Sequence, residues 1–105
     1  MILRKIWENG NRPGEKLLIK EAETESVALG YVSISKGDST VTGFHDDEEE
    51  IYVILNGRAI LMLGGEEAEV CGGDTIYVPR NTAHRMTCVS EEDLEYLYFA
   101  NWPKQ

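Results

Sequence analysis

From residue 28 onward the chain is a series of short apolar runs broken by turn-forming residues. Runs of strand length fall at residues 28–35, 40–45, 51–55, 58–63, 68–71, 75–78, 84–89 and 94–99. The breaks are Asn9-Gly10, Pro13-Gly14, Lys36-Gly37-Asp38, Asn56-Gly57, Gly64-Gly65, Gly72-Gly73-Asp74 and Pro79-Arg80-Asn81. Asn56-Gly57 and Gly64-Gly65 suit two-residue hairpins, whose central residues take positive φ, so consecutive strands are expected to run antiparallel. Many short strands with regular turns predict an all-β sandwich or barrel. Ile60, Leu61, Met62 and Leu63 are apolar on both faces of their strand, which predicts cover on both sides by a second sheet or a partner subunit. Residues 15–26 fit a helix and a strand equally well: Lys, Leu, Glu and Ala are concentrated there, yet Leu17, Leu18 and Ile19 are consecutive.

Length and charge narrow the picture. At 105 residues, without repeat or linker, the chain is expected to be a single domain with one core and one site. Its net charge of -9, with no local run of Lys or Arg, argues against nucleic acid and anionic membranes as partners. No apolar stretch approaches the roughly 20 residues of a membrane helix, and residues 1–9 lack the apolar centre of a secretory signal, so the cytoplasm is the expected location. Cys71 and Cys88 form neither a CxxC pair nor a zinc-ribbon spacing, and read as reduced thiols in a β core.

Candidate chemistry gathers around the two histidines. His45 ends one predicted strand and Glu50 begins the next, with Asp46-Asp47-Glu48-Glu49 between them. In an uninterrupted strand a spacing of five would put the two side chains on opposite faces, so the intervening residues must turn or bulge for them to converge. Four consecutive carboxylates repel one another and are expected as a solvated loop.

The stretch Gly43-Phe44-His45-Asp46-Asp47-Glu48-Glu49-Glu50, followed by Ile51-Tyr52-Val53-Ile54-Leu55-Asn56-Gly57, resembles the first motif of the cupins, H-x-H-x(3,4)-E-x(6)-G. Gly73-Asp74-Thr75-Ile76-Tyr77-Val78-Pro79-Arg80-Asn81-Thr82-Ala83-His84 resembles their second, G-x(5)-P-x-G-x(2)-H-x(3)-N. With the flanking strands the resemblance covers about residues 28–99, in the usual motif order. It implies an antiparallel double-sheet, jelly-roll-like barrel, commonly a homodimer, holding one metal ion inside. Matched position by position, His45, Glu50 and His84 fall on family ligands. Two imidazoles and one carboxylate suit divalent Fe, Mn, Ni or Zn and leave coordination positions open.

Three positions depart from the motifs: Gly43 replaces the first histidine, Asn81 a glycine and Cys88 an asparagine. Asn tolerates positive φ, so the second change is mild. A histidine at 43 would share the face of His45 about 6.6 Å away and complete the chelate, which predicts that Gly43→His tightens metal binding. Cys88, about 13 Å from His84 along an extended strand, is too distant to be a ligand. By the two-residue period Met86 and Cys88 are expected as cavity wall with His84, and Tyr52 and Ile54 are expected to face inward with Glu50. Tyr52 is the candidate proton donor or substrate hydrogen-bond partner. Tyr77, Tyr96, Tyr98, Trp7 and Trp102 are expected to pack. The function these features imply is a metal-dependent enzyme of dioxygenase, isomerase, epimerase or lyase type acting on a small oxygenated molecule. The alternative is a non-catalytic barrel that binds a small ligand or senses a metal.

Overall fold

The computed structural model describes residues 1–8, 10 and 13–103; Asn9 of the first expected turn lies outside them. Eight strands follow in order: β1 (Glu15–Ile19), β2 (Val27–Ile34), β3 (Glu49–Asn56), β4 (Arg58–Leu63), β5 (Glu66–Cys71), β6 (Thr75–Val78), β7 (His84–Cys88) and β8 (Leu94–Asn101). One short 3-10 turn, Glu21–Glu23, separates β1 from β2, so the ambiguous segment is mainly strand. The strands form a five-stranded sheet, β1-β2-β8-β3-β6, and a three-stranded sheet, β5-β4-β7. All pairings are antiparallel, and the two inner faces enclose the core.

The inner faces grade from polar to apolar along their length. On β3 the inward residues run Glu50, Tyr52, Ile54; on β7 they run His84, Met86, Cys88, all buried. On β8, running the other way, Ala100, Tyr98 and Tyr96 stand opposite Glu50, Tyr52 and Ile54. Ile54, Ala59, Leu61, Val70, Met86, Cys88 and Leu94 make the apolar end of the interior. Burying such side chains supplies the main driving force of the fold. The polar end is left for the site.

The two predicted hairpin dipeptides behave differently. Leu63 pairs with Glu66 across Gly64-Gly65, and Gly64 takes φ 59, so β4 and β5 form the expected tight hairpin. Asn56-Gly57 instead carries the chain from one sheet to the other. Both edges of β3 are already occupied, by β8 and β6, so β4 has no place beside it. Gly57 is nonetheless required: its φ is 82, and a Cβ there would stand 2.6 Å from the Asp93 carbonyl oxygen.

Residues 40–45, expected as a strand, form no continuous ladder with β7: isolated bridges join Ser39 to Thr87 and Gly43 to His84, and the Thr40 amide donates to the Met86 carbonyl. Between the bridges the Met86 amide donates to Thr40 Oγ1 at 2.9 Å, so a side chain replaces a backbone acceptor and interrupts the ladder. On the outer face of β4, Met62 is exposed and Ile60 half-buried, so the described residues cover that face only in part. Cys71 is exposed as well, contrary to its expected place in the core, because it lies on the outer side of an edge strand. Among the described residues no helix is long and apolar enough to cross a membrane.

The inner-face gradient predicts unequal sensitivity to truncation. Ile54→Ala should lower the unfolding free energy by about 2–5 kcal/mol, and Met62→Ala by no more than about 0.5 kcal/mol. Urea titrations of the two variants check this.

Candidate metal centre

Glu50 enters the interior because β3 begins at Glu49, one residue after the acidic turn, and the two-residue period then points residue 50 inward. It sits centrally in the five-stranded sheet, paired with Val78 on one side and Ala100 on the other. His84 opens β7 in the facing sheet, and His45 precedes the turn that leads into β3. Asn81, at φ 60, donates its amide to the His45 carbonyl at 2.6 Å and ties the two motif segments together. The expected tolerance of Asn for this conformation is therefore used.

The three side chains converge. Glu50 Oε1 lies 3.6 Å from His45 Nε2 and 3.5 Å from His84 Nε2, and one donor atom from each residue falls within 4.8 Å of the others. Nitrogen and oxygen donors bound at 2.0–2.2 Å stand about 3 to 3.5 Å apart around one ion, so the spacing suits a metal. Glu50 Oε1 is buried and has no hydrogen-bond partner among the described residues. Burial drives its pKa up, and His45 and His84 pull it back down. A buried carboxylate oxygen without a donor is costly, and a cation between the three groups would satisfy it.

Each imidazole is also oriented from behind. His84 Nδ1 is 3.0 Å from the Thr82 carbonyl oxygen, a contact that requires Nδ1 to carry the proton and leaves the Nε2 lone pair free. His45 Nδ1 lies 3.4 Å from Glu48 Oε1. Glu48 is thus largely buried behind a histidine and not part of a solvated loop, and burial raises its pKa, with Glu50 adding to the shift. Glu49 accepts hydrogen bonds from Tyr77 at 2.9 Å and Asn101 at 3.1 Å. Only Asp46 and Asp47 fit the expected solvated turn.

A cavity of about 440 Å³ opens onto these groups. Tyr52 lines it as expected, its ring edge-on to His84 at 6.2 Å. Burial, then the Glu50 charge, raises its pKa and keeps it a phenol. Tyr96 and Tyr98, expected only to pack, line the cavity too. The register of β8 on β3, which sets Tyr98 opposite Tyr52 and Tyr96 opposite Ile54, turns both inward. Glu15 and Thr40 also reach the cavity, from segments that the sequence left ambiguous or placed in a strand. Met86 and Cys88 do not line it; they lie deeper, in the core, where the thiol contacts the carbonyls of Ser90 and Glu92. Cys88 is accordingly no part of this cluster.

Gly43 does face the site, but its meaning differs from the expected missing ligand. A Cβ at position 43 would stand 2.6 Å from His84 Nε2 and 3.0 Å from Cε1. The His84 ring already occupies the space that a side chain at 43 would need, and it is held there by Thr82 and by the backbone pair between residues 43 and 84. Gly43→Ala and Gly43→His should therefore both weaken metal binding, by about 10- to 100-fold. Competition with a chromophoric chelator measures this, with circular dichroism confirming the fold; tighter binding by Gly43→His would restore the idea of a lost fourth ligand.

The cupin domain family matches residues 30–99. An uncharacterised protein of Methanocaldococcus jannaschii is 37% identical over 70 residues, 67% of this chain and 56% of that protein, so the match spans little more than half of the relative's length. An oxalate-binding protein of Thermotoga maritima is 29% identical over 82 residues, 77% of this chain and 68% of that protein. A crystal structure from Bacillus halodurans superposes with a TM-score of 0.81 at 18% identity, covering 90% of this chain and 74% of that one. With two antiparallel sheets enclosing a His-Glu-His cluster, and a family match over most of its length, the chain belongs to the cupins.

Proposed function

We propose that this protein is a metal-dependent enzyme acting on a small oxygenated molecule, with His45, Glu50 and His84 holding one divalent Fe, Mn, Ni or Zn ion. The observation that carries this reading is the buried Glu50 Oε1, without a hydrogen-bond donor and 3.5 to 3.6 Å from two imidazole nitrogens. Such an ion would supply Lewis acidity and open coordination positions. The chain's own residues supply the rest. Thr82 and Glu48 hold the imidazoles in the binding orientation. Tyr52, kept protonated by burial, donates a hydrogen bond to the bound molecule and is the candidate proton donor. Val32 and Ile34 present an apolar wall to it. A non-catalytic binding barrel is the second reading, favoured by the oxalate-binding relative.

Metal analysis after reconstitution should give about one ion per chain, and His84→Ala should abolish it. Because burial raises the Glu50 pKa, the metal-free protein carries a penalty at neutral pH that is relieved as pH falls through that raised value. Glu50→Gln should consequently be at least as stable as the metal-free parent at pH 7, yet lose the metal-induced gain of about 2.7 kcal/mol expected at a hundredfold excess over Kd. Failure to retain metal would remove the reading. Oxygen uptake and product analysis with a panel of oxygenated substrates separate enzyme from binder: turnover lost in His84→Ala supports the first, and saturable binding without turnover the second.

We also infer a homodimer. Across β6, β3 and β8, Tyr77, Ile51 and Phe99 stand in register on the outer face, each 41–55% exposed. This row is an exposed apolar patch without a charged side chain of its own, the kind of surface that a second copy would cover. Light scattering should give a dimer mass that Phe99→Glu converts to a monomer; a monomeric parent at micromolar concentration would overturn this.

A further inference from the structure

The cavity's chemistry extends the proposed function, on which this inference rests, to a class of ligand. Its wall carries three phenols, Tyr52, Tyr96 and Tyr98, with the Tyr52 and Tyr96 rings 5.1 Å apart. No described residue accepts or donates a hydrogen bond at any of the three hydroxyls, although Tyr52 and Tyr96 are only 6% and 4% exposed. A tyrosine hydroxyl is protonated at neutral pH, so all three are O–H donors with no acceptor among the described residues. Val32, which pairs beside Tyr96, adds apolar surface to the same cavity, as do Ile34 and Val41.

Charge is one-sided. Glu15, itself exposed to solvent, and the buried Glu50 both line the cavity, and no Lys or Arg is among the described residues that line it. A divalent ion on two neutral imidazoles and one carboxylate leaves a net charge of about +1, enough to balance one negative charge on an incoming molecule. A second negative charge would meet Glu15 with no cationic partner.

We propose that the cavity selects a small molecule with an apolar body and one pair of adjacent oxygens bearing at most a single negative charge, received by the tyrosine hydroxyls and the metal, and that Glu15 rejects dianions. Oxalate, a dianion at neutral pH and the ligand in the name of the Thermotoga maritima relative, is therefore a poor fit to this cavity.

Two hydroxy-4-pyranones test this, because they share the same pair of chelating oxygens: maltol, with a neutral body, and comenic acid, which carries an additional carboxylate. The full chain is loaded with Co(II), its metal content measured, and each compound titrated while the visible Co(II) bands are followed. Maltol should bind at least about tenfold more tightly than comenic acid, and Glu15→Lys should bring the two within about threefold. Comenic acid binding as well as maltol to the parent, or a preference unchanged by Glu15→Lys, would overturn the proposal while the retained Co(II) keeps the metal reading intact. Failure to retain Co(II) would overturn both.

Discussion

A carboxylate taken out of water must be neutralised, hydrogen-bonded or given a counter-ion, and Glu50 imposes that demand on the middle of this barrel. Its position between β8 and β6 closes off solvent from the sides. The facing sheet brings His84 to 3.5 Å, and the turn before β3 brings His45 to 3.6 Å. Neither ring donates a hydrogen bond to Oε1, which leaves the Glu50 oxygen without a donor among the described residues while both Nε2 atoms stand 3.5 to 3.6 Å from it. The Thr82 carbonyl and Glu48 enforce this by engaging the opposite nitrogen of each ring. Replacing Glu50 with an apolar residue would remove the strain and, with it, the reason for the arrangement.

The rest of the interior can be understood as insulation for that one group. The inward residues pass from Glu50 and His84 through Tyr52 and Tyr98 to Ile54, Met86 and Leu94 within one strand length. Tyrosine suits the middle layer because its ring packs as a hydrophobe while its hydroxyl keeps a polar end. The dry end supplies stability by burial, and the polar end is free to hold groups that reduce it. Function and folding therefore occupy opposite ends of the same three strands.

The barrel was readable from local pattern, in its turn dipeptides and strand-length runs, and the His45-Glu50-His84 cluster from the resemblance of two stretches to the cupin motifs. What was not readable depended on which strands become neighbours. Asn56-Gly57 looks like a hairpin, and only the occupancy of both β3 edges shows that it cannot be one. Glu48 reads as one of four solvated acids until His45 is placed beside it. Tyr96 and Tyr98 carry no mark that separates cavity wall from packing; the register of β8 on β3 decides that, by setting Tyr98 opposite Tyr52.

Gly43 shows most plainly how a sequence motif and a structure can disagree about the same residue. As a motif position it is an absence, a place where a ligand has been lost. In the folded chain it is a fit, because the His84 imidazole rests where a Cβ would be, 2.6 Å from its Nε2. Gly30 does the same at another wall: a Cβ there would lie 2.1 Å from Tyr98 Cζ, so the ring lies across the bare β2 backbone. Each glycine exchanges a small side chain of its own for a large ring from a neighbouring segment. Restoring a histidine at 43 therefore cannot simply add a fourth donor, since the ring it would displace belongs to the third.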